Sequence, residues 1–148
     1  MLAKLFAAAC VIASGAAAAA DGIDDMQDGA YEVVVTLDLP HLDRMGAAKT
    51  ATICVQSPET SPTRGLAVLS ENNPLGTCPA SNIRAESNEL KFEVHCAGKN
   101  AAEGFATYIL GKDTFDGRID MKMGGKNMTM SERQKGKRVG ECADKPRS

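Results

Sequence analysis

The sequence has no tryptophan, and aromatic residues make up only 4% of it, two Tyr and four Phe. One of these, Phe6, lies in the N-terminal leader. Such scarcity excludes a broad stacking platform of the kind that holds sugars or single-stranded nucleic acid. No excess of positive charge makes up for it, because 17 basic residues face 19 acidic ones. The electrostatic footprint of a nucleic-acid binder is therefore missing. There are two histidines, His41 and His95, and no spacing brings them together. No G-x-S-x-G nucleophile elbow occurs. No C-x-x-C pair occurs either, which removes the signature of a thioredoxin-like redox site or a close-spaced zinc site. No long stretch shows a 3.6-residue apolar period, which argues against a helical bundle. What is present, 43% hydrophobic and 24% charged residues, fits a globular chain rather than a disordered one.

The N-terminus reads as an export signal. Met1–Lys4 carries one positive charge, Leu5–Ile12 is apolar, and Ala13–Ala20 is rich in small residues. Ala18-Ala19-Ala20 fits an A-x-A cleavage site, with Asp21 as the mature start. Leu5–Ala20 is too short and too alanine-rich to span a bilayer, which takes about 20 strongly apolar residues. No other segment qualifies. The apolar stretch before Cys10 is too brief for a lipoprotein signal. Removing the leader leaves 16 basic against 19 acidic residues, a net charge near −3. The expected organisation is a signal peptide over residues 1–20, an acidic lead-in over 21–28, one β domain over 29–142 and a tail over 143–148. About 128 mature residues suffice for one domain with one core. The expected setting is the periplasm or the exterior of a bacterial cell, where thiols oxidise.

Four cysteines remain after cleavage: Cys54, Cys78, Cys96 and Cys142. An even number in an exported chain reads as two disulfides, with three possible connectivities. Ser81–Glu86 and Glu89–Cys96 read as two strands joined by a turn at Ser87-Asn88. Folding about that turn sets Cys78 almost opposite Cys96, within reach of a disulfide. Cys54 is then left for Cys142. Closing the two loops, roughly 18 and 88 residues long, contributes about 3 and 4.6 kcal/mol in the chain-entropy account.

Period-two alternation dominates the rest. Tyr31–Leu39 and Lys49–Gln56 read as a first hairpin, with Ala51, Ile53 and Val55 on one face and His41–Ala48 as its loop. Pro40 ends the first of these strands. Ser57–Thr77 holds three of the six prolines and no alternation. It reads as one long connection in which Thr63–Ser70 has room for a short helix. Leu90, Phe92 and Val94 alternate with Lys91, Glu93 and His95. Phe105, Thr107 and Ile109 mark the next strand. Phe115, Gly117, Ile119, Met121 and Met123 then alternate with polar residues in the cleanest run of the chain. Gly124-Gly125 turns it, and Met128 and Met130 lie on the return. The expected fold is all-β and mainly antiparallel: a curved meander sheet or small partial barrel of about seven strands.

Two clusters carry candidate chemistry. Met121, Met123, Met128 and Met130 form two M-x-M pairs that share one face of the last hairpin. Thioethers are soft ligands suited to Cu(I), so copper is the one cofactor the sequence brings into view. The competing role for these four residues is a core face, since Met fills irregular cores well. Arg133, Lys135, Lys137 and Arg138 make a basic segment suited to anionic lipid headgroups or envelope polymer. The competing role there is a charged edge strand that resists sheet-to-sheet pairing.

The order of the motifs resembles the bacterial secreted proteins grouped as domain of unknown function 3617. The resemblance rests on Asp28-Gly29-Ala30-Tyr31-Glu32-Val33, then Cys54-Val55-Gln56-Ser57-Pro58-Glu59 and the Cys78 segment. Phe92-Glu93-Val94-His95-Cys96-Ala97-Gly98 and the Phe115–Met123 hairpin follow. Met128-Thr129-Met130 then leads to Gly136-Lys137-Arg138-Val139-Gly140-Glu141-Cys142. The family usually opens with Pro-Gly-Leu-Trp; here Asp28-Gly29-Ala30-Tyr31 keeps an aromatic without the Trp. The resemblance implies an exported, disulfide-bonded, mainly β domain and no particular activity. The expected function is a non-enzymatic binding or interaction module for a small lipophilic ligand or an envelope partner. A Cu(I) binder and an enzyme of unrecognised type are the alternatives.

Overall fold

Hairpin register and turn residues decide the architecture. The computed structural model describes residues 26–40, 47–99, 101–124 and 128–143. The expected export leader, Asp21–Asp25, His41 and most of its loop, Gly125 and residues 144–148 of the tail lie outside the described residues. Among the described residues seven strands form: β1 (Gly29–Asp38), β2 (Lys49–Val55), β3 (Ala80–Glu86), β4 (Glu89–Cys96), β5 (Ala102–Leu110), β6 (Thr114–Met123) and β7 (Met128–Gly140). All neighbours are antiparallel, in the order β2-β1-β7-β6-β5-β4-β3, in one open sheet. β1, β4 and β6 alternate, with Tyr31, Val33 and Val35, with Leu90, Phe92 and Val94, and with Phe115, Ile119 and Met121 on their buried sides, which is what a half-buried pleated strand requires. The β3–β4 turn is tight because Ser87 adopts a φ of 55°, the left-handed geometry that two-residue hairpin loops need.

The strand order has one large consequence. β2 and β3 are consecutive in the chain yet occupy opposite edges of the sheet. The connection between them, residues 56–79, therefore has to cross the whole width. It does so over one face, as a strap that buries Leu66, Val68 and Leu75. The strap takes the place of barrel closure by covering the inner face. Thr63–Ser70 is not a helix: it is a turn followed by extended chain, and a 3-10 turn follows it at Pro74–Thr77. That turn starts where Asn73 caps the Leu75 N–H at 3.1 Å and Pro74 supplies a preset φ.

Aromatics are scarce, and most of them are in the core. Tyr31, Phe115, Tyr108 and Phe92 run in a row across the inner face, with ring centroids 5.9, 5.7 and 5.8 Å apart. Two of these rings lie over glycines of the neighbouring strand. Tyr108 pairs with Gly117 and Phe115 with Gly136, and a Cβ on either glycine would come within 2.4 and 2.1 Å of the ring. On β5 the inward residues are Ala102, Gly104, Ala106, Tyr108 and Leu110. Phe105 and Ile109, the apolar residues that mark this strand in the sequence, face outward and are 55% and 45% exposed. Small inward residues leave room for the strap: a Cβ on Gly104 would touch Leu75 at 3.4 Å.

Cys54 is bonded to Cys142, and Cys78 to Cys96. The first ties the end of β2, where the strap begins, to the segment after β7, and the second ties the end of the strap to β4. At the N-terminus, the end of the acidic stretch is already part of the fold. Met26 is buried, Gln27 N–H donates to Lys112 O at 2.9 Å, and Tyr31 OH donates to Gln27 O at 2.7 Å.

Candidate functional site

β7 carries two polar residues on its buried face, Glu132 and Gln134, exposed by 0% and 1%. They hold the strap down. The Glu132 carboxyl accepts Leu69 N–H at 2.8 Å and Gln134 Nε2 at 2.6 Å through Oε1, and Ser70 N–H at 3.0 Å through Oε2. Gln134 Nε2 also donates to Ala67 O at 2.8 Å, and Tyr108 OH donates to Gln134 Oε1 at 3.1 Å. A buried polar group is tolerable only when paired, and here both side chains are. Burial pushes the Tyr108 hydroxyl well above its ordinary value near 10; the Glu132 charge adds to this, and the Gln134 bond partly offsets it. This network is a clamp on the strap.

Where the clamp ends, a groove begins. Val35, Leu37, Ala51 and Leu69 supply its apolar lining, and Lys49, Glu71 and Asn72 stand at its rim, around a volume of about 430 Å³. That size falls in the range of small-molecule sites. Lys49 Nζ lies 2.6 Å from Glu71 Oε2 and closes one side of the rim. The same contact, by hydrogen bond and then by charge, holds the Glu71 carboxyl below its usual range.

A second, polar cleft of about 600 Å³ lies where the N-terminal segment, the strap and the end of β7 meet. Arg64 forms its floor. It is 3% exposed, at a φ of 57°, and donates from Nη2 to Met26 O at 2.7 Å and to Asp28 Oδ1 at 3.0 Å. Its Nε has no partner among the described residues. Arg138 contributes an N–H to Asp28 O at 2.9 Å and pairs with Glu141. The mixed charges here tie three chain segments together.

The structure sets the sequence-derived residues as follows. Met121 stands opposite Met130 and Met123 opposite Met128. Their surroundings differ: Met121 is 2% exposed, and its Sδ accepts Asn73 Nδ2 at 3.2 Å; Met123 and Met130 are partly buried; Met128 is 54% exposed. Met121 and Met130 also line a hollow of about 350 Å³ with Phe105 and Asp120. The basic segment is not an edge strand, because β7 lies between β1 and β6. Its central position follows from the strap, which sends the meander back to meet β1. Arg133, Lys135 and Lys137 share the outer face, where Arg133 pairs with Asp38 at 2.5 Å and Lys135 with Asp116 at 3.6 Å. Arg138 has the opposite parity. His95 is exposed on β4, opposite Glu103. Among the described residues, no group of three or more His, Cys, Asp or Glu is placed to hold a metal. No helix of the described residues is long and apolar enough to cross a membrane.

The clamp and Arg64 are not singled out by sequence motifs. A usable signal existed for the clamp, since Glu132 and Gln134 fall on the parity of Met130 and Gly136 and so continue a buried face. Arg64 sits in a strap without periodicity and had no such signal.

No curated protein and no solved structure matches the chain. Over residues 26–142 it matches the family model described as a protein of unknown function (DUF3617), and it belongs to that family.

Proposed function

We propose that the mature chain is a periplasmic, non-enzymatic binding module whose groove between β1, β2 and the strap takes a small apolar ligand or an apolar piece of an envelope partner. The observation that carries this reading is the groove itself, a trough of about 430 Å³ with Val35, Leu37, Ala51 and Leu69 along its apolar side and one ion pair at its rim. Elsewhere on the inner face the strap buries Leu66, Val68 and Leu75. Two disulfides support an oxidising compartment, and the leader-like N-terminus supports export. The test is a fluorescence titration with N-phenyl-1-naphthylamine, an uncharged apolar dye. Ala51→Glu, which puts a charge in the trough, is expected to weaken binding about tenfold or more, a cost of about 1.4 kcal/mol. Phe105→Ser on the outer face leaves it unchanged. Equal binding by all three proteins would remove the reading.

A second reading, Cu(I) binding, is favoured by the facing pairs Met121–Met130 and Met123–Met128. It predicts Cu(I) binding that disappears when all four become Leu; equal binding by that variant excludes it.

A further inference from the structure

The two edges of the sheet are built differently. On β3 the register slips between Ser81 and Arg84, and Asn82 adopts a φ of 50°. A bulge of this kind twists an edge and blocks another strand from pairing with it. β2 has no such device. It pairs with β1 without interruption from Gly29↔Val55 to Val35↔Lys49. It contains no proline and no residue of positive φ, and Thr50, Thr52 and Ile53 are β-branched. Its one charge, Lys49, is engaged by Glu71. The strap protects only its far end: Gln56 N–H donates to Arg64 O at 3.0 Å, and a Cβ on Gly65 would come within 2.7 Å of the Cys54 carbonyl oxygen. From Lys49 to Ile53 the outer side of β2 has no backbone partner among the described residues. This open stretch borders the apolar groove, because Lys49, Thr50 and Ala51 line both.

We infer that the β2 edge is a strand-addition site. Resting on the groove reading above, the proposal is that an extended, uncharged segment of a partner polypeptide adds as an eighth strand along Lys49–Ile53 and seats one apolar side chain in the groove. Free N–H and C=O groups in a row specify an extended backbone, and the adjoining trough specifies what one of its side chains must be. The Lys49–Glu71 pair is already neutralised, so a charged side chain entering there finds no counter-charge to offset its desolvation. A second copy of this chain is a poorer occupant. The open edge is about 17 Å long, whereas a stable specific pair buries about 1,200 Å² or more, and edge-to-edge pairing leaves the groove empty.

The test uses the disulfide-intact, ¹⁵N-labelled protein and a capped heptapeptide of alternating Thr and Leu. Saturating peptide is expected to slow hydrogen exchange about tenfold or more at alternate amides within Lys49–Ile53, leaving β3 unaffected. A peptide whose central Leu is replaced by Asp gives no such slowing, and neither does the edge-charge variant Thr52→Lys with the original peptide. Slowing along β3, no slowing anywhere, or slowing that grows with protein concentration without peptide would overturn the inference. The naphthylamine titration separates the two readings. Dye binding without peptide protection defeats strand addition and leaves the groove reading standing; loss of both defeats both.

Discussion

Removing the Glu132 carboxyl should loosen the strap without cutting it. Glu132→Ala leaves three donors without their acceptor: Leu69 N–H, Ser70 N–H and one N–H of Gln134. A buried donor left unpaired costs about 1–3 kcal/mol. Leu69 and Ser70 are only half-buried, so they belong at the low end, and Gln134, at 1% exposure, near the middle. The expected loss is about 3–5 kcal/mol, in line with other buried polar partners whose mate is deleted. That is a large share of the roughly 5–15 kcal/mol that stabilises a domain. Glu132→Gln should do less harm. Its amide nitrogen settles where Oε2 stood, opposite one donor, while its oxygen keeps the two bonds of Oε1, so the loss is about 1–2 kcal/mol. The assay is urea unfolding with both disulfides intact, paired with hydrogen exchange at Leu69 and Ser70. The Ala variant should melt roughly 10–20 °C lower, and those two amides should lose protection ahead of the strands. A loss under about 1 kcal/mol with unchanged protection at both amides would refute the clamp.

Three further outcomes follow from the same geometry. Gly136→Ala should destabilise by about 1–3 kcal/mol in urea melts, because its methyl enters the space of the Phe115 ring; stability equal to wild type would mean that the ring moves freely. Arg64→Gly should be about 1 kcal/mol more stable than Arg64→Ala, since both lose the bonds to Met26 and Asp28 but only Ala keeps the penalty of a φ of 57°; the reverse order defeats this account. The Tyr108 proton is held more tightly in the folded chain than in the unfolded one. Its contribution is therefore complete below pH 10 and declines above it, by about 1.4 kcal/mol per pH unit. Tyr108→Phe should remove one proton's share of that alkaline slope, and an unchanged slope would exclude Tyr108 as its source.

The strands were legible because alternation is a local property. Glu89–Cys96 and Thr114–Met123 each put apolar and polar residues on opposite faces, and turns at Ser87-Asn88 and at Gly124 fixed their register. Both the Cys78–Cys96 proximity and the Met121–Met130 opposition follow from that register alone. β5 was harder to read. Its buried face is Ala102, Gly104 and Ala106, whose small size weakens the apolar signal, while Phe105 and Ile109 on the solvent side strengthen the wrong one. Hydropathy reports side-chain size and polarity; it does not report that Leu75 from the strap needs the room.

What the sequence hid was the strand order. Alternation assigns strands, but nothing local says that β2 and β3 lie at opposite edges. Once they do, several other features become necessary. Residues 56–79 must cross the inner face, and an extended segment on a sheet face presents backbone groups that the strands below cannot satisfy. Side chains must do that instead, which is the role of Glu132 and Gln134 on the central strand β7. The same crossing brings the strap's backbone into hydrogen bonding with the β2 end only past Cys54, at Gln56 and Arg64, while the Lys49 end meets the strap through the Glu71 side chain. The clamp, the groove and the open edge thus share one cause. A variant that lets the strap lift should therefore alter dye binding in the groove as well as stability, and Glu132→Ala supplies it: tighter or weaker binding ties the groove to the strap, whereas unchanged affinity would mean that β1 and β2 form the site alone.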